Sequence, residues 1–359
     1  MRIFPTCKEF VTDMLIILAI TIVLIIGSWF LMIRMPSASF QGLSPPLTST
    51  ETKLLTNLKA HVMFLASHSL GRNYYLDNSL VPFQDYIINQ FRTYGYQVSL
   101  QKYQPYVETH AHLGDELLSQ YQNLDETYAN LEVEIVGQDK PDEIIILGAH
   151  YDSVPGSPGA NDNASGVAAL LEIARMLQGQ VLSRTVRFIA FVNEEPPFFQ
   201  TKAMGSYVYA KRCAEKNENI VGIIVLETIG YFQNEPGSQK YPPPFSFFYP
   251  NQGNFIGFVG NLSSRQLVRE TLAIFRKYAL IPSEGAAIPA LIPGVGWSDH
   301  WAFWQYGYPA IMITDTAPYR YPHYHQAQDT PDKIDYAKMM RVVSGVQKII
   351  EVLARSEKI

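Results

Sequence analysis

Between residues 143 and 226 the chain alternates short apolar runs with stretches of helical periodicity, and this alternation restricts the fold more than any other feature. Segments 143–147, 186–192 and 220–226 have the length and composition of strands, whereas 164–177 and about 204–215 read as helices. Strands separated by helices build a mostly parallel sheet, covered on both faces because each helix buries its apolar stripe against it. Before this core, helices are predicted over 52–66, where Leu54, Leu55, Leu58, Val62 and Leu65 fall near helical spacing, and over 81–93. A strand follows at 96–103, and the turn-rich 137–142 between apolar runs at 131–136 and 143–147 predicts an antiparallel hairpin. Beyond 226 come a strand at 255–259, a helix over 265–278, a strand at 310–313 and a terminal helix over 331–353. The expected fold is a three-layer α/β/α sandwich with a mixed, mostly parallel central sheet, in one domain spanning 51–359.

Met14 to Ile33 is an uncharged apolar run of twenty residues. As a helix rising 1.5 Å per residue it spans the roughly 30 Å hydrocarbon layer of a bilayer. A transmembrane anchor is therefore expected over 14–33, after a short tail over 1–13 and before a Pro-, Ser- and Gly-rich linker over 34–50. The apolar region is longer than that of a cleaved signal peptide. Arg2 and Lys8 on one side against Arg34 on the other predict a cytoplasmic N-terminus, a single pass and an extracytoplasmic catalytic domain.

The 359 residues are 47% apolar and 17% charged, the balance of a globular protein. A net charge of -5 without any arginine-rich run excludes nucleic acid as a partner, because nothing neutralises phosphate. The two cysteines, Cys7 and Cys213, flank the apolar run, so neither an intrachain disulfide nor a cysteine zinc site is expected.

In open α/β sheets, chemistry gathers at the carboxyl ends of strands. The first such end carries His150 and, two residues on, Asp152, which in extended chain points to the same side and can hold the imidazole. The loop Gly159 to Gly166 places Asp162 before a helix, a position that also suits a cap. The strand over 186–192 ends in Asn193-Glu194-Glu195, two adjacent carboxylates that repel unless a cation sits there, and the strand over 220–226 ends in Glu227. A late loop supplies His323 and His325. Two histidines and three carboxylates without thiolates match the donors zinc takes, and five ligands suit two ions bridged by one carboxylate.

The segments AHYDS, GANDNASGVAALLEIAR, FVNEE, VLETIGY, SDHWAFWQYGYPA and YHQAQDTPDKID closely resemble the M28 family of zinc aminopeptidases, in the same order and with similar spacing. The resemblance covers about residues 54–353. It implies that Asp162 bridges two Zn2+ ions, with His150 and Glu227 on one, Glu195 and His325 on the other, and Glu194 as general base. It also implies a cis peptide after Asp162 and favours His325 over His323. Asp152 is the expected partner of His150, while Asp299 and His300 line the pocket or brace a ligand. Glu227 stands where many relatives have aspartate, and Pro196-Pro197-Phe198-Phe199 replaces a glycine-containing turn, so the pocket wall differs. A second aromatic, proline-rich loop, 241–250, is a candidate specificity element.

The activity implied is removal of N-terminal residues from peptides by two-zinc hydrolysis. Two alternatives share the sheet: a single-zinc glutaminyl cyclase and a non-catalytic, receptor-like ectodomain. A carboxypeptidase or dipeptidase needs a cation for the substrate carboxylate, and Arg320 is the candidate.

Overall fold

The computed structural model describes residues 7–76, 78–105 and 128–356, so Arg2, one of the charges behind the expected topology, lies outside the described residues. An apolar helix, α1 (Cys7–Met32), leads into a segment that lies along the body of the protein. Arg276 donates to the carbonyls of Pro36 and Ser37, Ser283 N to Ser39 Oγ, and Arg341 to Pro45 O. Next comes α2 (Ser49–Leu65), whose Thr48 and Glu51 cap it reciprocally. That capping box, a Thr followed three residues later by Glu, moves the helix start ahead of the expected residue 52.

Helix α3 (Val81–Thr93) precedes β1 (Ser99–Tyr103) and β2 (Tyr128–Ile135). The core then runs β3 (Lys140–His150), a wide helical turn over Ala160–Ser165, α4 (Gly166–Leu177), β4 (Arg184–Phe191), α5 (Gly205–Glu215) and β5 (Ile220–Leu226). Beyond it lie β6 (Ile256–Gly260), α6 (Arg265–Tyr278), β7 (Ser283–Ala287), α7 (His300–Trp304), β8 (Ala310–Thr314), α8 (Ala317–Arg320) and α9 (Tyr336–Arg355).

The sheet is eight-stranded in the order β1-β2-β4-β3-β5-β8-β6-β7, with β4, β3, β5 and β8 parallel to one another. The expected hairpin of β2 with β3 is absent: β4 lies between them, antiparallel to β2 and parallel to β3. Turn chemistry at 137–142 reverses the chain, but Gln138 N and Lys140 N bond to the Leu182 and Ser183 carbonyls, so the reversal docks on the approach to β4. Pairing choice is a tertiary matter that a turn sequence does not fix.

Successive residues of β3 point to opposite faces. Ile145 and Leu147 join the larger core, with α2, α3, α4, α6 and α9, whereas Ile144 and Ile146 pack with Tyr209, Cys213 and Phe303 of α5 and α7. This is the three-layer sandwich. Helix α4 is buried nearly all round because α2 and α9 cover the side that the sheet does not.

Candidate metal centre

The parallel strands deliver their last residues to one edge of the sheet. His150 ends β3, Glu194 and Glu195 follow β4, Glu227 follows β5, and the turn before α4 carries Asp162. All five are buried. The chain must bend sharply to aim them: Asn193, just before Glu194, and Thr228, just after Glu227, have φ of 58° and 49°, and His325 has φ of 59°. Left-handed backbone is costly for a β-branched residue such as Thr228. Its Oγ1 donates to Asp315 Oδ1 at 2.6 Å, which helps hold the conformation. The peptide between Asp162 and Asn163 is cis, as the family resemblance implies.

His150 Nε2 lies 3.3 Å from Asp162 Oδ1 and 3.1 Å from Glu227 Oε2. On the other side, His325 Nε2 lies 3.0 Å from Asp162 Oδ2 and 3.4 Å from Glu195 Oε2. Asp162 thus offers one oxygen to each of two clusters, His150–Asp162–Glu227 and Asp162–Glu195–His325. Glu194 forms a third grouping with His150 and Glu195, its Oε2 3.9 Å from His150 Nε2.

These residues fit a metal. Buried polar atoms are normally hydrogen-bonded, yet His150 Nε2, both Asp162 oxygens and Glu195 Oε1 lack such a partner among the described residues. Four buried carboxylates around two imidazoles also call for added positive charge. The separations of 3.0 to 3.4 Å approach the edge, about 3.3 Å, of a tetrahedron of N and O donors around an ion at 2.0–2.1 Å.

The protein alone shows the same demand in its titration. Burial, with the neighbouring carboxylates, raises Glu194 and Glu195 well above the ordinary range and raises Glu227. Burial opposes ionisation of Asp162 too, but the adjacent His150 and His325 imidazoles outweigh it and hold that carboxyl low. Burial pulls His325 down, and Asp162 and Glu195 carry it up to about 9.

Around this centre sit supports that sequence reasoning found only in part. Asp152 lies 3.5 Å from His150 Nδ1 by Oδ1, and its two oxygens accept from the amides of Glu194 and Glu195 at 3.2 and 3.0 Å. Asp299 is buried near the centre and pushed up to about 7 by burial, whereas His300 points its Nε2 at Val295 O, 2.7 Å away. His323 stacks edge-on against Tyr321 and joins none of the three groupings. Arg320 is buried, with Nε on Gln239 Oε1 and Nη1 on Phe255 O, so it braces loops rather than facing a substrate.

Three supports were missed. Ser298 Oγ donates to Glu227 Oε2 at 2.8 Å. Asp329 accepts from the amides of Asn161 and Asp162 at 2.8 and 3.0 Å, doing the capping that sequence had offered to Asp162. Arg72, fully buried, donates to the carbonyls of Leu65, Tyr151, Pro158 and Gly159 and so ties the chain after His150 to the turn before Asp162. Ser298 and Asp329 stand inside the quoted motifs; Arg72 carries no local signal.

An apolar channel leads away from the centre. It starts at Glu227 and Tyr324, runs past Thr314 and Gly257, and ends at Glu284, under Tyr241, Tyr249 and Trp297. Its floor crosses β5, β8, β6 and β7, a length of roughly 14 Å at about 4.8 Å per strand. The loop 241–250 thus forms part of its roof.

The sequence pattern of the family described as "Peptidase family M28" matches residues 130–350. The chain is 44% identical over 233 residues to a protein of Escherichia coli (strain K12) named only "Uncharacterized protein YfbL", covering 61% of this chain and 69% of that one. It is 44% identical over 87 residues to "Aminopeptidase YwaD" of Bacillus subtilis (strain 168), but this match spans 23% of this chain and 18% of that protein. Among solved structures, a zinc aminopeptidase from Bacillus subtilis shares the fold, with a TM-score of 0.63 at 16% identity over 84% of this chain and 95% of its own.

Proposed function

The chain belongs to peptidase family M28, and from that premise we propose that it is a two-zinc aminopeptidase with His150, Asp162, Glu195, Glu227 and His325 as metal ligands. The observation that carries this is the split of Asp162, one oxygen toward His150 and Glu227, the other toward Glu195 and His325. His150 and Glu227 would hold one ion and Glu195 and His325 the other, with Asp162 within reach of both. When bound, zinc supplies Lewis acidity, polarising a carbonyl and lowering the pKa of water. Glu194 is the acid that these two triads leave free; it takes the proton of the attacking water and hands it to the leaving amine. Asp152 fixes Glu194 and Glu195 through their amides, and Ser298 fixes Glu227. The channel beside Glu227 takes the apolar side chain of the residue being removed.

The test is a panel of amino-acid p-nitroanilides with free and acetylated amines, together with a peptide beginning in glutamine. Release from the free-amine substrates alone supports the reading. Ammonia release with ring closure at glutamine would assign a cyclase instead.

The helix over Val11–Met32 is long and apolar enough to cross a membrane. We read it as a single-pass anchor because its apolar side chains from Val11 to Leu31 are largely exposed among the described residues, and we set the catalytic domain outside the cytoplasm because Arg2 and Lys8 precede the helix and Arg34 alone follows closely. Protease added to intact cells or spheroplasts should cleave the domain. A domain that stays intact until the membrane is opened would reverse the topology.

A further inference from the structure

The end of α1 is fixed to the catalytic domain. Arg265 donates to the carbonyls of Phe30 and Leu31, and Arg269 to that of Arg34. Met32 and Ile33 pack on the cluster of Ala286, Ile288 and Val295, as do Phe245, Tyr249 and Ile292. The point where the chain leaves the helix is therefore held against two loops, 241–250 and 288–297.

Those loops carry large apolar side chains in the open. Phe247 is 85% exposed, Leu291 84% and Phe248 42%; Leu262, just before α6, is 46% exposed. Single exposed apolar residues are ordinary, but a set gathered around one anchoring point is not. Beside them, Arg34, Arg265 and Arg269 have no carboxylate within ion-pair distance among the described residues. Neighbouring charge adds to burial in lowering Arg269. Trp29 and Phe30 close the helix, with the Arg34 guanidinium 4.9 Å above the Phe30 ring. Aromatic and basic residues at the end of an apolar helix match the headgroup layer, and arginines without an acidic partner among the described residues match anionic lipid phosphates.

We propose that this face of the catalytic domain docks on an anionic bilayer surface, with Phe247, Phe248 and Leu291 in the headgroup layer and Arg34, Arg265 and Arg269 on lipid phosphates. The inference rests on the anchor reading of α1. Its occupant is lipid because the face is continuous with a helix of membrane-spanning length. The same two loops roof the apolar channel, so the docked surface is also a wall of the site.

The test uses the full chain in vesicles of phosphatidylcholine with about 30% phosphatidylglycerol. An environment-sensitive dye is placed by Phe247→Cys, Leu291→Cys, Ile22→Cys or Glu215→Cys in a Cys7→Ser background; Cys213 is buried. Spin-labelled lipid should quench the dye at 247 and 291 by about 2-fold or more, as expected for side chains some 5–10 Å into the interface, and quench it at 22, but not at 215. Quenching at 291 should weaken in phosphatidylcholine alone; equal quenching there would overturn the role of the arginines. Dye at 247 and 291 that behaves like dye at 215 while position 22 is quenched would overturn docking and leave the anchor standing. Blue-shifted emission at 247 and 291 without quenching by lipid would mean that another protein or a second copy covers the face, which also overturns the proposal. If position 22 escapes quenching too, the anchor reading fails and docking with it.

Discussion

Glu194 and Glu195 are neighbours in sequence but face different partners. Glu195 reaches His325, and Glu194 faces His150 at 3.9 Å. Replacing Glu194 by Gln keeps shape and removes the proton acceptor. Turnover should fall by a factor of about 10²–10⁴, the usual weight of general base catalysis, with zinc content unchanged by elemental analysis. A Glu194→Gln protein that loses zinc would make this residue a ligand instead. The gathering of His150, Glu194, Glu195 and Glu227 was legible because strand ends are visible in sequence, whereas Asp162 and His325 lie in connecting segments and were singled out with the help of the family resemblance. Arg72 was not, because its four backbone carbonyls come from residues 65, 151, 158 and 159, which only the folded chain brings together. Asp329 was visible as a motif residue but not as the cap of Asn161 and Asp162, which lie 168 and 167 positions away.

Among the elements, long periodic segments follow the sequence pattern and strand pairings do not. Helices over 81–93 and 265–278 and the strand over 220–226 coincide with α3, α6 and β5, since strong periodicity and clean boundaries agree there. Strand β7 leaves no signal in the sequence because Ser283-Glu284-Gly285-Ala286-Ala287 has little strand propensity and is held by pairing with β6. The expected hairpin fails for the same reason, since β2 and β3 both pair with β4 instead of with one another.

Another tertiary feature ties α2 to α4. Buried Glu172 meets His61 Nε2 at 3.3 Å, Asn57 Nδ2 at 3.1 Å and Arg175 at 2.7 Å. Burial alone would raise this carboxyl, but these hydrogen bonds lower it from 4.5 to about 2. A folded-state pKa below the unfolded one gives stability that is complete above pH 4.5 and fades as pH falls toward about 2. Thermal melts of wild type and Glu172→Gln should therefore differ most near neutrality and converge below pH 4.5. A gap that stays constant with pH would show that the carboxylate's charge is not what holds α2 to α4.

For the molecule as a whole, the proposed metal centre joins segments far apart in sequence, from His150 to His325, at one edge of the sheet. Ions that bind only the folded state stabilise it by mass action, about 4 kcal/mol when free metal exceeds its Kd a thousandfold. Chelation should lower the melting temperature by several degrees, and added zinc should restore it; an unchanged melt would mean the clusters are empty in the native protein. The central claim is that Asp162 is shared by two ions, and elemental analysis of purified protein and its variants tests it most directly. The expected content is two zinc ions per chain in wild type, one in His150→Ala and one in His325→Ala, and none in Asp162→Ala. A wild type holding a single ion, or an Asp162→Ala protein that keeps two, would contradict it.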